Sequence, residues 1–225
     1  SGADSLVVLN CTIINNSSIG LTFYQSSSSK ASVRNCTLTN NNLNIHWAHG
    51  SIENSTFNSS NVWIHGADNS NREYIKSSVF NNGYLKLSNN SNKYTITESK
   101  FIDSSENKTN IDIDEGESIY ITKCILVSNS TSQVEPELDV STGISFGGNV
   151  SGNVPVNYIQ ECNIIGFLDY GIFIENNNVD ISKTTIQDNS IGIFLSNKSS
   201  QNNYTESDVE NSNFQNNSSY NIKLD

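Results

Sequence analysis

Small residues recur at Cys11, Cys36, Ser55, Ser78, Ser99, Cys124, Cys162, Thr184 and Ser212, at intervals of 25, 19, 23, 21, 25, 38, 22 and 28 residues. Each sits in the same apolar frame. Three residues before it stands a β-branched aliphatic: Val8, Val33, Ile52, Ile75, Ile96, Ile121, Ile159, Ile181 or Val209. Two residues after it stands a large apolar side chain: Ile13, Leu38, Phe57, Phe80, Phe101, Leu126, Ile164, Ile186 or Phe214. Four residues after it comes a turn former: Asn15, Asn40, Ser59, Asn82, Asp103, Ser128, Gly166, Asp188 or Asn216.

Every unit also carries a strand in which two apolar residues bracket one outward position. The pairs are Leu21/Phe23, Leu43/Ile45, Val62/Ile64, Leu85/Leu87, Ile111/Ile113, Ile144/Phe146, Ile172/Ile174, Ile193/Leu195 and Ile222/Leu224. Alternation with period two places both members of a pair on one face of a strand.

A repeat of this size with two or three short strands cannot bury its apolar side alone, whereas stacked repeats share one continuous core. The pattern predicts an all-β fold: a right-handed parallel β-helix of about nine coils, forming a single domain over residues 1–225. A leucine-rich repeat would need a Leu-rich consensus with a fixed Asn inside its strand, and neither is present. Stacking predicts side-chain ladders along the axis, among them Phe57, Phe80 and Phe101 in one inward column, with Asn amide ladders at the turns. The first coil begins near Val8 and the last ends near Leu224, which leaves no room for a capping helix. The expectation is therefore a piece of a longer protein, or end-to-end self-association through open edges.

The segments Val8-Leu-Asn-Cys-Thr-Ile-Ile-Asn-Asn16, Val33-Arg-Asn-Cys-Thr-Leu-Thr-Asn-Asn41 and Ile181-Ser-Lys-Thr-Thr-Ile-Gln-Asp-Asn189 carry a family resemblance. The chain resembles the pectate-lyase-like right-handed β-helix superfamily, in the form of its parallel β-helix repeat, over residues 6–225. That fold hosts lyases, hydrolases, phage tailspikes, adhesins and passive stalks, so the resemblance speaks to fold far more than to function. Asn- and Ser-rich versions poor in enzyme motifs are most similar to bacterial and archaeal adhesin-like surface proteins. The Gly-Gly-Ala-Ile motif of polymorphic outer-membrane adhesins is missing.

Composition changes the picture in one respect. A hydrophobic fraction of 35% amid abundant Asn and Ser would by itself suggest disorder, but the repeat overrules it. A net charge of −11, with 23 acidic against 12 basic residues and no cluster of cations, argues against a nucleic-acid partner. No apolar run is long enough to span a bilayer, and the opening Ser1-Gly2-Ala3 says nothing about targeting.

All four cysteines occupy the repeated small position on neighbouring coils, Cys11 beside Cys36 and Cys124 beside Cys162. Two readings stand side by side. The pairs are inter-coil disulfides in an oxidising compartment, or Cys serves as a small inward hydrophobe interchangeable with Ser and Thr. Sequons such as Asn54-Ser-Thr and Asn129-Ser-Thr are numerous but arise readily by chance in so Asn-rich a chain. Acidity and the solenoid together favour an extracellular or cell-surface location.

Candidate chemistry falls in three places. Pectin-cleaving relatives need clustered carboxylates holding calcium beside a basic residue, or paired aspartates. The two arginines, Arg34 and Arg72, stand in no such context, so no catalytic residue is assigned. Asp112, Asp114, Glu115 and Glu117 lie near Lys86 one coil earlier and could share a calcium ion or act as a carboxylate pair, or simply form a solvated face. His46 and His65 fall on corresponding positions of adjacent coils, but the same column next holds Ser88, which leaves the two imidazoles short of a third metal ligand. No metal or cofactor is expected.

The sharper reading is glycan recognition. Tyr24, His46, Trp47, Trp63 and His65 gather rings on the outward face of the first three coils, beside amides and hydroxyls, and exposed rings of this kind suit a pyranose. The long interval before Cys162, with Glu135-Pro-Glu-Leu-Asp139, makes the largest excursion from the helix. The expected function is a non-enzymatic surface adhesin-like domain binding a glycan or a partner protein. The alternatives are a carbohydrate-active enzyme on the same scaffold and a structural spacer.

Overall fold

The computed structural model describes residues 5–15, 19–24, 30–46, 49–65, 72–90, 93–103, 109–116, 118–129, 141–147, 156–196 and 207–225. The chain is an all-β parallel solenoid built from three sheets, each of nine strands, in which each sheet takes every third strand in chain order. One coil shows the plan. Ser5–Leu9 lies in the first sheet, Thr12–Ile14 in the second and Ile19–Tyr24 in the third, and the chain then returns to the first sheet at Lys30–Arg34.

The repeat columns read from sequence are the structural columns. Val8, Val33 and Ile52 pair in succession in the first sheet, and the column runs on to Val209. In the second sheet Leu38, Phe57, Phe80, Phe101 and Leu126 are partners in turn. The rings of Phe57 and Phe80 stack at 4.9 Å and those of Phe80 and Phe101 at 4.5 Å, all three fully buried. The bracketing pairs of the third sheet also hold their register, Leu43/Ile45 against Val62/Ile64 and these against Leu85/Leu87.

Two residues separate the first sheet from the second, and the first of them makes the turn. In every coil the residue before the small position has positive φ: Asn10, Asn35, Asn54, Ser77, Glu98, Lys123, Glu161, Lys183 and Asn211. A left-handed residue between two strands turns the chain sharply, and Asn tolerates that conformation better than other non-glycine residues. The same conformation recurs on leaving the second sheet at Asn15, Asn40, Ser59, Asn82, Gly166, Asp188 and Asn216. Asn side chains then link coils: Asn35 Nδ2 donates to Asn10 Oδ1 at 3.1 Å and Asn40 Nδ2 to Asn15 Oδ1 at 2.7 Å.

The small position is a hydrogen-bonding column. Ser55, Ser78, Ser99, Thr184 and Ser212 each donate their hydroxyl to the carbonyl two residues back, over 2.9 to 3.0 Å. Cys11, Cys36, Cys124 and Cys162 do the same with their thiols, at 3.1 to 3.4 Å. The hydroxyls also accept from the coil before, as when Ser55 N–H donates to Ser78 Oγ and Ser78 N–H to Ser99 Oγ. Backbone groups that would be buried without a partner at the bend are satisfied in this way.

Candidate functional site

The third sheet displays its outward residues in two columns along the solenoid axis. Thr22, Asn44, Trp63, Lys86, Asp112, Ser145, Phe173, Phe194 and Lys223 form one by direct pairing. Tyr24, His46, His65, Ser88 and Asp114 form the other. Each follows from period-two alternation: the inward Leu or Ile residues oblige their neighbours to face out.

Four of the five ring residues singled out in the sequence come together here. Tyr24 and His46 stack face to face with centroids 4.7 Å apart and planes within 6°. His46 also lies 5.9 Å from Trp63 and 6.0 Å from His65. Trp47, the fifth, lies outside the described residues. Tyr24 is 72% exposed and Trp63 39%, so both keep ring surface available to solvent. Trp63 is nevertheless held firmly, because its indole N–H donates to Ser88 Oγ at 2.8 Å, and His65 Nδ1 shares the same hydroxyl at 3.1 Å. Ser88, which denies the histidines a third metal ligand, thus orients the rings instead. Burial, and then the neighbouring charge of His65, lower the pKa of His46 below its ordinary value.

One coil along, Lys86 bridges two carboxylates, with Nζ 3.0 Å from Asp112 and 3.3 Å from Asp114. Burial acts to lower the Lys86 pKa, but the hydrogen bond and charge of Asp112, followed by those of Asp114, outweigh it and raise the pKa. The ammonium stands where a shared cation would have to sit. Glu117 and the side chain of Glu115 lie outside the described residues, and among those described no group of three or more His, Cys, Asp and Glu side chains is placed to hold a metal.

A second ring cluster lies on the same sheet, and of its members the sequence reading missed Tyr170. Tyr170 stacks on Phe194 at 5.1 Å, Phe173 lies 5.7 Å from Phe194, and the Lys223 ammonium sits 5.1 Å from the centre of the Phe194 ring. Alternation from Ile172 assigns Tyr170 to the inside, but Gly171 intervenes, where a β-carbon would lie 2.7 Å from the Gly192 carbonyl oxygen. The first sheet carries its own feature at the same end: a groove of about 540 Å³ between strands, lined by Tyr158, Gln160, Asp180, Asp208 and Glu210 among others. Tyr120 stacks on Tyr158 at 4.7 Å and extends its aromatic wall.

No family model matches the chain, and no curated protein or solved structure matches it. The case for function therefore rests on these surfaces. The four cysteines stand as free thiols. Its hydrogen bond with Cys162, and then burial, push the Cys124 thiol well above its ordinary pKa, so it is held protonated. Residues 130–140 and 148–155, which include the acidic excursion, lie outside the described residues, and no described helix is long and apolar enough to cross a membrane.

Proposed function

We propose that this chain is an adhesin-like surface domain without enzymatic activity, which binds a glycan through the outward face of its third sheet. The observation that carries this reading is the Tyr24–His46 stack beside an anchored, part-exposed Trp63. Rings held in fixed planes offer apolar faces to the C–H side of a sugar at little entropic cost, while His65, Asn44 and Thr22 supply donors and acceptors at its edge. The Lys86 bridge supports a binding role over a catalytic one, since it occupies both carboxylates of the neighbouring coil. We take the solenoid as right-handed, in the manner of the pectate-lyase-like superfamily, because parallel crossovers are right-handed in about 98% of cases. An extracellular or cell-surface setting fits the acidic, cation-poor surface, and the partner would be a glycan or a surface protein of another cell.

A specific observation favours a second reading. The groove over Asp180, Asp208 and Glu210 has the carboxylates and the aromatic wall that a carbohydrate-active enzyme would use. A glycan array followed by titration with the best ligand separates the two. Under the adhesin reading Trp63→Ala weakens binding by about 2 kcal/mol, roughly thirtyfold, as for other aromatic anchors. Asp112→Asn and Asp208→Asn leave binding unchanged. Depolymerisation of the ligand that survives Trp63→Ala and is abolished by Asp208→Asn would replace the adhesin reading with the enzyme.

A further inference from the structure

One hydroxyl serves two rings on the third sheet, and the hydrogens there are few. An indole N–H only donates, so Ser88 Oγ accepts from Trp63 at 2.8 Å and keeps a single hydrogen of its own. His65 Nδ1 lies 3.1 Å from the same oxygen. A neutral imidazole carrying its hydrogen on Nε2 takes the Ser88 hydrogen at Nδ1, which makes a chain from Trp63 through Ser88 to His65. A charged imidazole holds hydrogen on both nitrogens, so its Nδ1 must donate and Ser88 must accept twice. Hydrogen bonds in a chain strengthen one another, whereas two donors facing one oxygen compete for it. Ser88 is 8% exposed, so little water is at hand to relieve that competition.

His46 meets the same pair from the coil before. Its ring centroid lies 4.7 Å from that of Tyr24 on one side, and 5.9 Å from Trp63 and 6.0 Å from His65 on the other. Among the described residues, the titratable groups facing it are Tyr24 on strand Ile19–Tyr24 and His65 on strand Val62–His65. His46 and His65 are register partners, so no column position lies between the two imidazoles. Further along the face stand Lys86, Asp112 and Asp114, one ammonium against two carboxylates, on the far side of His65. A cation on His46 is drawn to the Tyr24 face, but burial and then the charge of His65 outweigh that attraction and lower its pKa.

We infer that the ring cluster is a proton-operated latch. While His46 and His65 are neutral, Ser88 holds Trp63 and the Tyr24–His46 stack stays closed; protons on the pair reverse the Ser88–His65 hydrogen bond, loosen Trp63 and part the imidazoles. The first proton arrives from solvent at His65 Nδ1. The Ser88 hydrogen turns to another acceptor, and the register partner of Ser88 on the next coil is Asp114. Asp114 is then shared between Ser88 and Lys86, itself the register partner of Trp63, so both neighbours of the indole shift together. An imidazole ordinarily changes charge between about pH 5 and 8, which sets the latch to work in mild acid. That it releases a ligand rests on the glycan reading: a sugar seated on Trp63 is held at neutral pH and let go in acid.

Nuclear magnetic resonance of the 225-residue chain tests the latch without a ligand. The Trp63 indole N–H, identified as the resonance missing in Trp63→Phe, is followed with the imidazole nitrogens from about pH 8 to about pH 5. Circular dichroism over the same range checks that the coils stay folded. At the upper end His65 should carry its hydrogen on Nε2, and its titration should shift the Trp63 indole resonance with the same midpoint. In Ser88→Ala the indole should no longer follow His65, and Ser88→Thr, which keeps the hydroxyl, should restore the coupling. Binding to a glycan array should fall about tenfold in acid, short of the roughly thirtyfold loss expected on removing the ring. His65→Gln, which does not titrate, should flatten that fall. The inference is overturned if His65 carries its hydrogen on Nδ1 at the upper end, if the indole ignores the His65 titration, or if it still follows in Ser88→Ala. An array signal unchanged in acid overturns it as well. An array silent at both ends sinks the glycan reading alone, while the resonances decide the latch.

Discussion

Replacing Phe80 by Ala removes the middle ring of a three-ring stack whose centroid spacings are 4.9 and 4.5 Å. The side chain is fully buried, so the change loses its transfer free energy and opens a cavity between two coils. Truncations of buried Phe cost about 3 to 5 kcal/mol, and each lost ring pair adds roughly 0.5 to 1.5 kcal/mol beyond area burial. Two pairs are lost here, which places Phe80→Ala at the upper end, at about 4 to 5 kcal/mol. For a domain of this size that lowers the melting temperature by roughly 8 to 20 °C. Phe214→Ala is the internal control: the same column in the terminal coil, partly buried and without a ring neighbour in the column, and it should cost half as much or less. Urea denaturation, followed by circular dichroism and by the fluorescence of Trp47 and Trp63, reads both changes and tests whether the coils unfold together. A loss below about 1.5 kcal/mol, or equal losses at Phe80 and Phe214, would refute the inter-coil ladder as a source of stability.

Gly83→Ala should destabilise the fold clearly while Gly147→Ala leaves its melting temperature unchanged. A methyl at Gly83 would lie 2.1 Å from the Ser60 carbonyl oxygen, whereas at Gly147 nothing among the described residues lies within 4 Å. Acidification should weaken the first coils through His46. With its folded pKa below the unfolded value of 6.5, the unfolded chain binds the proton first, so this contribution is present above that pH and is lost as pH falls toward the folded pKa. His46→Gln should flatten that part of the stability–pH profile, and an unchanged slope would exclude His46 as its source.

The core was legible in the sequence because stacking repeats one inside environment many times, so Val8, Cys11 and Ile13 declare their roles by what stands at Val33, Cys36 and Leu38. The bend between the first and second sheets was encoded as well, in an interval that violates period two. Val33 and Cys36 both face inward although three residues apart, which is possible only because Asn35 is left-handed. Outward residues have no such redundancy. Tyr24, His46, Trp63 and His65 could be placed on one face by counting from inward neighbours, but the Ser88 bridge and the face-to-face stack depend on side-chain torsions that spacing does not determine. Tyr170 escaped because the glycine after it interrupts the alternation on which the count depends.

Under the proposed glycan reading, the distribution of rings over the three faces narrows where a ligand would dock. Second-sheet strands are short, Thr37–Thr39 and Thr56–Asn58 for example, and their outward positions hold Thr, Asn, Val, Ile, Gln and Lys but no ring. The first and third sheets carry every described outward ring contact: Tyr120 with Tyr158 on one, Tyr24 with His46 and Tyr170 with Phe194 on the other. Outward rings are not required to close the core, since the inward columns are complete without them and the second sheet stacks well with none. Under the glycan reading proposed above, a ligand accounts for rings at outward positions where Thr or Asn would serve the fold equally well. A bare spacer has no need of them, and Trp63, fixed by Ser88 with its ring still open to solvent, is the residue on which that difference turns.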